Sequence, residues 1–70
     1  MTRDEALKAF NEGTPVICKD IEYKYINAIS WRVVRDKDGK ITDRFIQAEM
    51  QDEKANSVTT SRIEWVQPAY

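Results

Sequence analysis

Apolar positions recur along the chain first with a helical period and then with a period of two. In "RDEALKAFNE", residues 3–12, Leu7 and Phe10 lie one turn apart with Ala6 beside them, and the remaining positions are mostly charged. Thr2 and Glu5 form a T-x-x-E capping box ahead of this run, Gly13 supplies a left-handed cap, and Pro15 stops the helix from continuing. The pattern predicts a helix over 3–12, with Leu7 and Phe10 as its buried face. Beyond Pro15, "PVICK" reads as a short strand and residues 20–22 as a polar turn. "YKYINAISWRVV" (23–34) and "KITDRFIQAEMQ" (40–51) are β-branched, aromatic and free of proline, as long strands are. "DEKAN" (52–56) reads as a turn. "SVTT" and "WVQ" read as short strands, with "SRIE" between them too short for more than one 3₁₀ turn.

Between the long strands lies "RDKDGKITD", whose acidic residues have the look of a calcium loop. An EF-hand needs oxygen ligands at positions 1, 3 and 5, glycine at 6 and glutamate at 12. Counted from Asp36, those last three places hold Lys40, Ile41 and Gln47, so no metal site is expected. Asp38-Gly39 is instead a hairpin signal, because both residues tolerate positive φ. A two-residue loop there sets Trp31 opposite Ile46, Ile29 opposite Ala48 and Val33 opposite Arg44 on one largely apolar face. Arg32 beside Phe45, Val34 beside Asp43 and Ala28 beside Glu49 make the other face. Unbroken alternation would bury Asn27 and expose Ile26, at a cost of about 1–3 kcal/mol for an unpartnered amide. A bulge near Asn27-Ala28 is therefore expected, bringing Ile26 inward and turning Tyr23 and Tyr25 toward solvent. Trp31 and Trp65 are expected in the core, near a rim where their N–H groups find partners.

Seventy residues make one domain, 1–70, with a small core. Hydrophobic residues at 41% and charged residues at 33% suit a globular chain, and a net charge of −1 gives no global pull toward nucleic acid or anionic membrane. No apolar run approaches the roughly 20 residues of a membrane span, and "MTRDEALKAF" lacks a signal-peptide apolar segment. With Cys18 as the single cysteine no internal disulfide forms, which together with these features points to the cytoplasm. There is no histidine, so the commonest acid–base group and metal ligand is missing. Cys18 has no histidine base beside it and reads as a small buried residue. Gly13 and Gly39 are the only glycines, too few for a phosphate loop. The expectation is a non-catalytic chain without cofactor or metal.

The order helix, short strand, two long strands joined by a tight hairpin, short strand, 3₁₀ turn and short strand resembles a small SH3-like barrel over residues 15–67, with "SVTTSRIEWV" like its closing segment. "YKYINAISWRV" and "NSVTTSRIEWV" are also similar to stretches of small uncharacterised proteins carried by phages and mobile elements of Gram-positive bacteria. The resemblance implies a mainly β (α+β) fold, a five-stranded SH3-like barrel with the N-terminal helix over one open end. It implies no active-site residues. The acidic, aromatic-rich first loop of proline-binding SH3 domains is missing, since "KDIE" is too short to provide it.

Binding is the function class that remains. Tyr25, Arg32, Arg44 and Phe45 are the candidate binding residues, because arginine and aromatics have the composition of interface anchors. Arg32 opposite Phe45 can lay its guanidinium over the ring, which also shields an exposed aromatic without any partner. The expected role is a protein-binding or adaptor module, its simplest form a homodimer. The rival is a nucleic-acid-binding small barrel. Residues 32–44 carry five basic side chains against three acidic ones, a local +2, but the interleaved acids oppose phosphate.

Overall fold

The computed structural model describes residues 1–54 and 56–70. It contains helix α1 (Arg3–Glu12), strands β1 (Val16–Cys18), β2 (Ile21–Tyr23), β3 (Tyr25–Arg35), β4 (Ile41–Gln51) and β5 (Val58–Arg62), a 3₁₀ turn (Ile63–Trp65), and β6 (Val66–Pro68). The fold is mainly β with one N-terminal helix. Its strands form two antiparallel three-stranded sheets, ordered β2-β1-β6 and β3-β4-β5, and not the single closed five-stranded barrel expected. The sixth strand arises because the first long strand is divided. Lys24 separates β2 from β3, and its N–H donates to the Gln51 carbonyl of β4 at 2.9 Å, so the chain passes from one sheet into the other within one residue.

The helix follows its local signals closely. Thr2 Oγ1 accepts from the Glu5 N–H at 3.2 Å, and Glu5 Oε1 accepts from the Thr2 N–H at 2.8 Å. That hydrogen bonding holds the Glu5 carboxyl below the usual carboxylate range. At the other end Gly13, φ +67°, donates to the Ala9 carbonyl at 2.9 Å. The buried face is not the one expected, however. Ala6 and Ala9 are buried, Leu7 is half-buried and Phe10 is exposed. The helix lies against β3 through its smallest side chains, which lets the backbones approach, and the larger residues are displaced to the margin.

Both turns differ from expectation in an instructive way. The β1–β2 loop is Lys19-Asp20, with φ of 52° and 65°, and it closes a two-residue hairpin between Cys18 and Ile21. Two positive φ angles are the type I′ geometry expected for Asp38-Gly39. At the β3–β4 loop only Gly39 has positive φ, +83°. Gly39 N–H donates to the Asp36 carbonyl at 3.0 Å, and Asp36 N–H donates to the Lys40 carbonyl at 2.9 Å. This is a three-residue loop with glycine at its left-handed position. It pairs Arg35 with Ile41, and an extra residue at Thr42 then restores the expected register from Val34–Asp43 down to Ala28–Glu49. Asp36 Oδ1 accepts from Asp38 N–H at 2.8 Å and Lys40 N–H at 3.0 Å, so this carboxylate builds the turn.

Gly39→Val is expected to cost about 1–2 kcal/mol, because an L side chain resists this φ even though open space surrounds the site. Urea unfolding measures it. An unchanged midpoint would mean that the loop does not need a left-handed residue.

The second irregularity was legible. Register shifts between Ile26 and Ala28, leaving Asn27 as the bulged residue, and Ile26 is buried. The Asn27 amide donates to Gln51 Oε1 at 2.8 Å, so it is not left without a partner. Tyr25 turns toward solvent as expected, whereas Tyr23 does not; it sits in the core. That core joins Ala6 and Ala9 to Val16, Cys18, Tyr23, Ile26, Ala48, Met50, Ile63 and Val66, with Ile29 and Ile46 packed at its edge.

Candidate functional site

The decisive feature is how far each strand is covered. β5 stops at Arg62, which pairs with Gln47 of β4, and Gln47 pairs with Ser30 of β3. Beyond that rung β3 and β4 continue alone as a two-stranded arm from Trp31 to Ile46. Beyond Phe45 and Ile46, which are half-buried at its base, its apolar side chains are open to solvent: Trp31 is 60% exposed and Val33 44% exposed, with Val34 and Ile41 also exposed. This corrects the core placement of Trp31 and Val33. They occupy the inward-facing stripe, but the stripe outruns the body that would bury it. Trp65 is likewise exposed, at 57%, at the end of the 3₁₀ turn.

The arm shapes the whole molecule. Its radius of gyration is 13.0 Å, against about 11 Å for a compact chain of this length. The accessible surface is 4960 Å², about 400 Å² above the value for a compact protein of this mass.

Of the four expected binding residues, Arg32 and Phe45 are directly paired. Tyr25, opposite Gln51, lies on the same face but about 20 Å down the sheet at roughly 3.4 Å per residue. Arg44 pairs with Val33 and belongs to the opposite face. The four therefore do not form one cluster. Trp31, Arg32, Val33, Arg44, Phe45 and Ile46 line an open hollow of about 250 Å³. That is below the roughly 300 Å³ at which small-molecule pockets begin, and it suits a side chain of a larger partner.

The guanidinium over Phe45 is not that of Arg32. Arg62 holds this place, with Cζ 4.1 Å from the ring centroid and 5.9 Å from that of Trp65. Its Nη2 donates to Asp43 Oδ2 at 2.8 Å, and Glu64 lies 4.0 Å from Nη1. Lys19 Nζ stands 5.7 Å from Trp65. Arg62 is one diagonal step from Phe45 across the β4–β5 ladder, a contact fixed by non-local register. The only sequence signal would have been the pairing of 47 with 62, and it depends on the turn over 52–56, whose Ala55 lies outside the described residues.

The hydrogen bond from Arg62 and that from the Arg44 N–H hold the Asp43 carboxyl below the usual range. A depressed folded pKa means the contact is present above the unfolded carboxylate pKa and is lost as pH falls through the folded one. The Arg62 side-chain and Phe45 ring NMR signals are expected to shift together below about pH 4. Signals unchanged down to the acid unfolding transition would show that Asp43 does not position Arg62.

Among the described residues no three acidic or cysteine side chains converge as a metal site would require, and no helix is long and apolar enough to cross a membrane. Compared with family models, curated proteins and solved structures, the chain matches none of them.

Proposed function

We propose that this chain is a non-catalytic protein-binding module whose contact surface is the β3–β4 arm. One observation carries it: a projecting two-stranded ribbon keeps Trp31, Val33, Val34 and Ile41 exposed on a chain whose remaining core is small. A lone hairpin is marginally stable in water, and clustered exposed apolar side chains mark interfaces. The absence of histidine and the burial of the single cysteine support a role without catalysis. The strand order, with the chain passing through Lys24 from β2 of one small sheet into β3 of the other and a 3₁₀ turn before the last strand, supports an SH3-like arrangement. The single cysteine, buried and unpaired, supports a cytoplasmic setting. Nucleic acid is a poorer occupant, because Asp36, Asp38 and Asp43 interrupt the basic side chains of the arm.

The test is capture of partners from a lysate of the source cells, with and without nuclease, by the parent and by Phe45→Glu and Val33→Glu. These place a charge on either face of the arm. The expected result is nuclease-resistant capture that at least one variant loses while remaining folded. Capture that survives both substitutions, or that vanishes with nuclease and falls steeply with salt, would overturn it.

A further inference from the structure

β3 is an edge strand along its whole length, since the sheet order is β3-β4-β5. It runs for 11 residues, about twice the usual strand. Natural edges of this kind are blunted by lysine, proline, inward charges or shortness. From Ala28 to Val34, "AISWRVV", β3 has none of these, and every residue from Ser30 onward is exposed. The backbone groups on this edge can be assigned. Asp36 N–H bonds to Lys40 and so faces β4. By strict alternation Val34, Arg32 and Ser30 also face β4, while the N–H and C=O groups of Ile29, Trp31, Val33 and Arg35 point outward.

We infer that the occupant of this edge is a second copy of the same chain, added antiparallel across a two-fold axis at Trp31. The inference rests on the arm being the contact surface. A two-fold normal to the sheet keeps like faces together, so each possible centre makes a definite set of cross-strand pairs. Centring on Trp31 sets Ile29 opposite Val33, Ala28 opposite Val34 and Ser30 opposite Arg32. These pairs are apolar or neutral to cationic, with no like charges opposed, and the ladder runs from Ala28 to Val34 on both strands. Centring on Arg32 opposes two guanidiniums directly. Centring on Val33 shortens the ladder, because β3 ends at Arg35. A centre nearer the base meets the bulge at Asn27. The sequence of the edge thus complements itself in one register. Lys37 and Lys40 in the loop lie outside that ladder, so they do not oppose it.

The area sets the strength. The ladder from Ala28 to Val34 on each strand is a small contact beside a standard stable interface, which places this dimer in the weak class. Assembly is therefore expected to depend on concentration between about 10 µM and 1 mM, where interfaces of this size dissociate.

Sedimentation of the full chain across that range tests it, with amide exchange read by NMR. The mass is expected to rise toward twice that of the chain, with protection appearing at the Trp31 and Val33 amides and unchanged at Arg32 and Val34. Val33→Pro removes an outward N–H without touching the β3–β4 ladder, and is expected to weaken dimerisation about tenfold or more with the fold intact. If that variant fails to fold, Trp31→Lys decides, since it opposes two ammonium groups at the axis of a strand position that is exposed in the monomer. A parent that stays monomeric throughout, or variants that dimerise as the parent does, would overturn the inference. A monomeric parent whose captured partner is lost in Phe45→Glu would leave the arm as a contact surface and exclude the second copy as its occupant.

Discussion

Met50→Ala is expected to lower stability by about 2–5 kcal/mol, the range for removing a large buried side chain. Met50 is fully buried, opposite Ile26 at the base of the second sheet, and belongs to the same cluster as Ala6, Ala9 and Val66. A chain of this length has a total stability of roughly 4–10 kcal/mol, so the loss is a large share of it. The comparison that gives the number meaning is Trp31→Ala. Tryptophan is the larger side chain, yet at 60% exposure its removal is expected to cost less than about 1 kcal/mol. Urea unfolding of the two variants, at protein concentrations below about 10 µM to keep the chain monomeric, measures both. A Trp31→Ala loss as large as that of Met50→Ala would mean that the arm folds back onto the body.

Ala6→Asp is the second large effect. Ala6 is fully buried on the face of α1 that meets β3. A carboxylate there loses its water in a core that, among the described residues, buries no charged side chain, and an uncompensated buried charge costs about 3–5 kcal/mol. The favourable position of an acid near a helix N-terminus returns at most about 1 kcal/mol of that. The sign with pH follows from burial raising the folded pKa: the variant is expected to regain stability as pH falls and lose it as pH rises through that pKa. Thermal melts at pH 4.5 and 7 are the measurement, relative to the parent at the same pH. Leu7→Ala, which would have been the severe substitution had Leu7 been the buried residue, is expected to cost about 1 kcal/mol. If Ala6→Asp were tolerated and Leu7→Ala were not, the helix would sit on β3 by the opposite face.

What was legible in the sequence was local. The Thr2–Glu5 box and Gly13 fix the helix because the groups that satisfy its ends lie within a few residues of them. The bulge at Asn27 could be read because burying an amide in place of Ile26 is costly on any fold. The pairing of Trp31 with Ile46 was right for a reason only half right, since a three-residue loop and an extra residue at Thr42 together reproduce the register of a two-residue loop. The turn between β1 and β2 was expected at residues 20–22 and lies at Lys19-Asp20, with Ile21 and Glu22 in β2. Lysine has no side-chain preference for positive φ, and the pairing of Val16 and Ile17 with Tyr23 and Glu22 on either side imposes the geometry. Burial of Trp31 was misjudged because alternation tells which face a residue is on and says nothing of how far the neighbouring strand extends. The end of β5 at Arg62 decides that, and it also brings Arg62 over Phe45 where Arg32 was expected.

Body and arm are separate parts of the fold, and excising the arm tests that most directly. Ser30 and Gln47 are paired across the sheet, so residues 31–46 can be replaced by Asn-Gly, a two-residue turn that joins such a pair without strain. The shortened chain gives up the packing of Ile46 and the contacts of Arg62 with Phe45 and Asp43, and is predicted still to fold and melt cooperatively, at a lower temperature than the parent, and to lose both concentration-dependent assembly and partner capture. A shortened chain that fails to fold, or one that folds and still assembles or captures partners, would contradict the account.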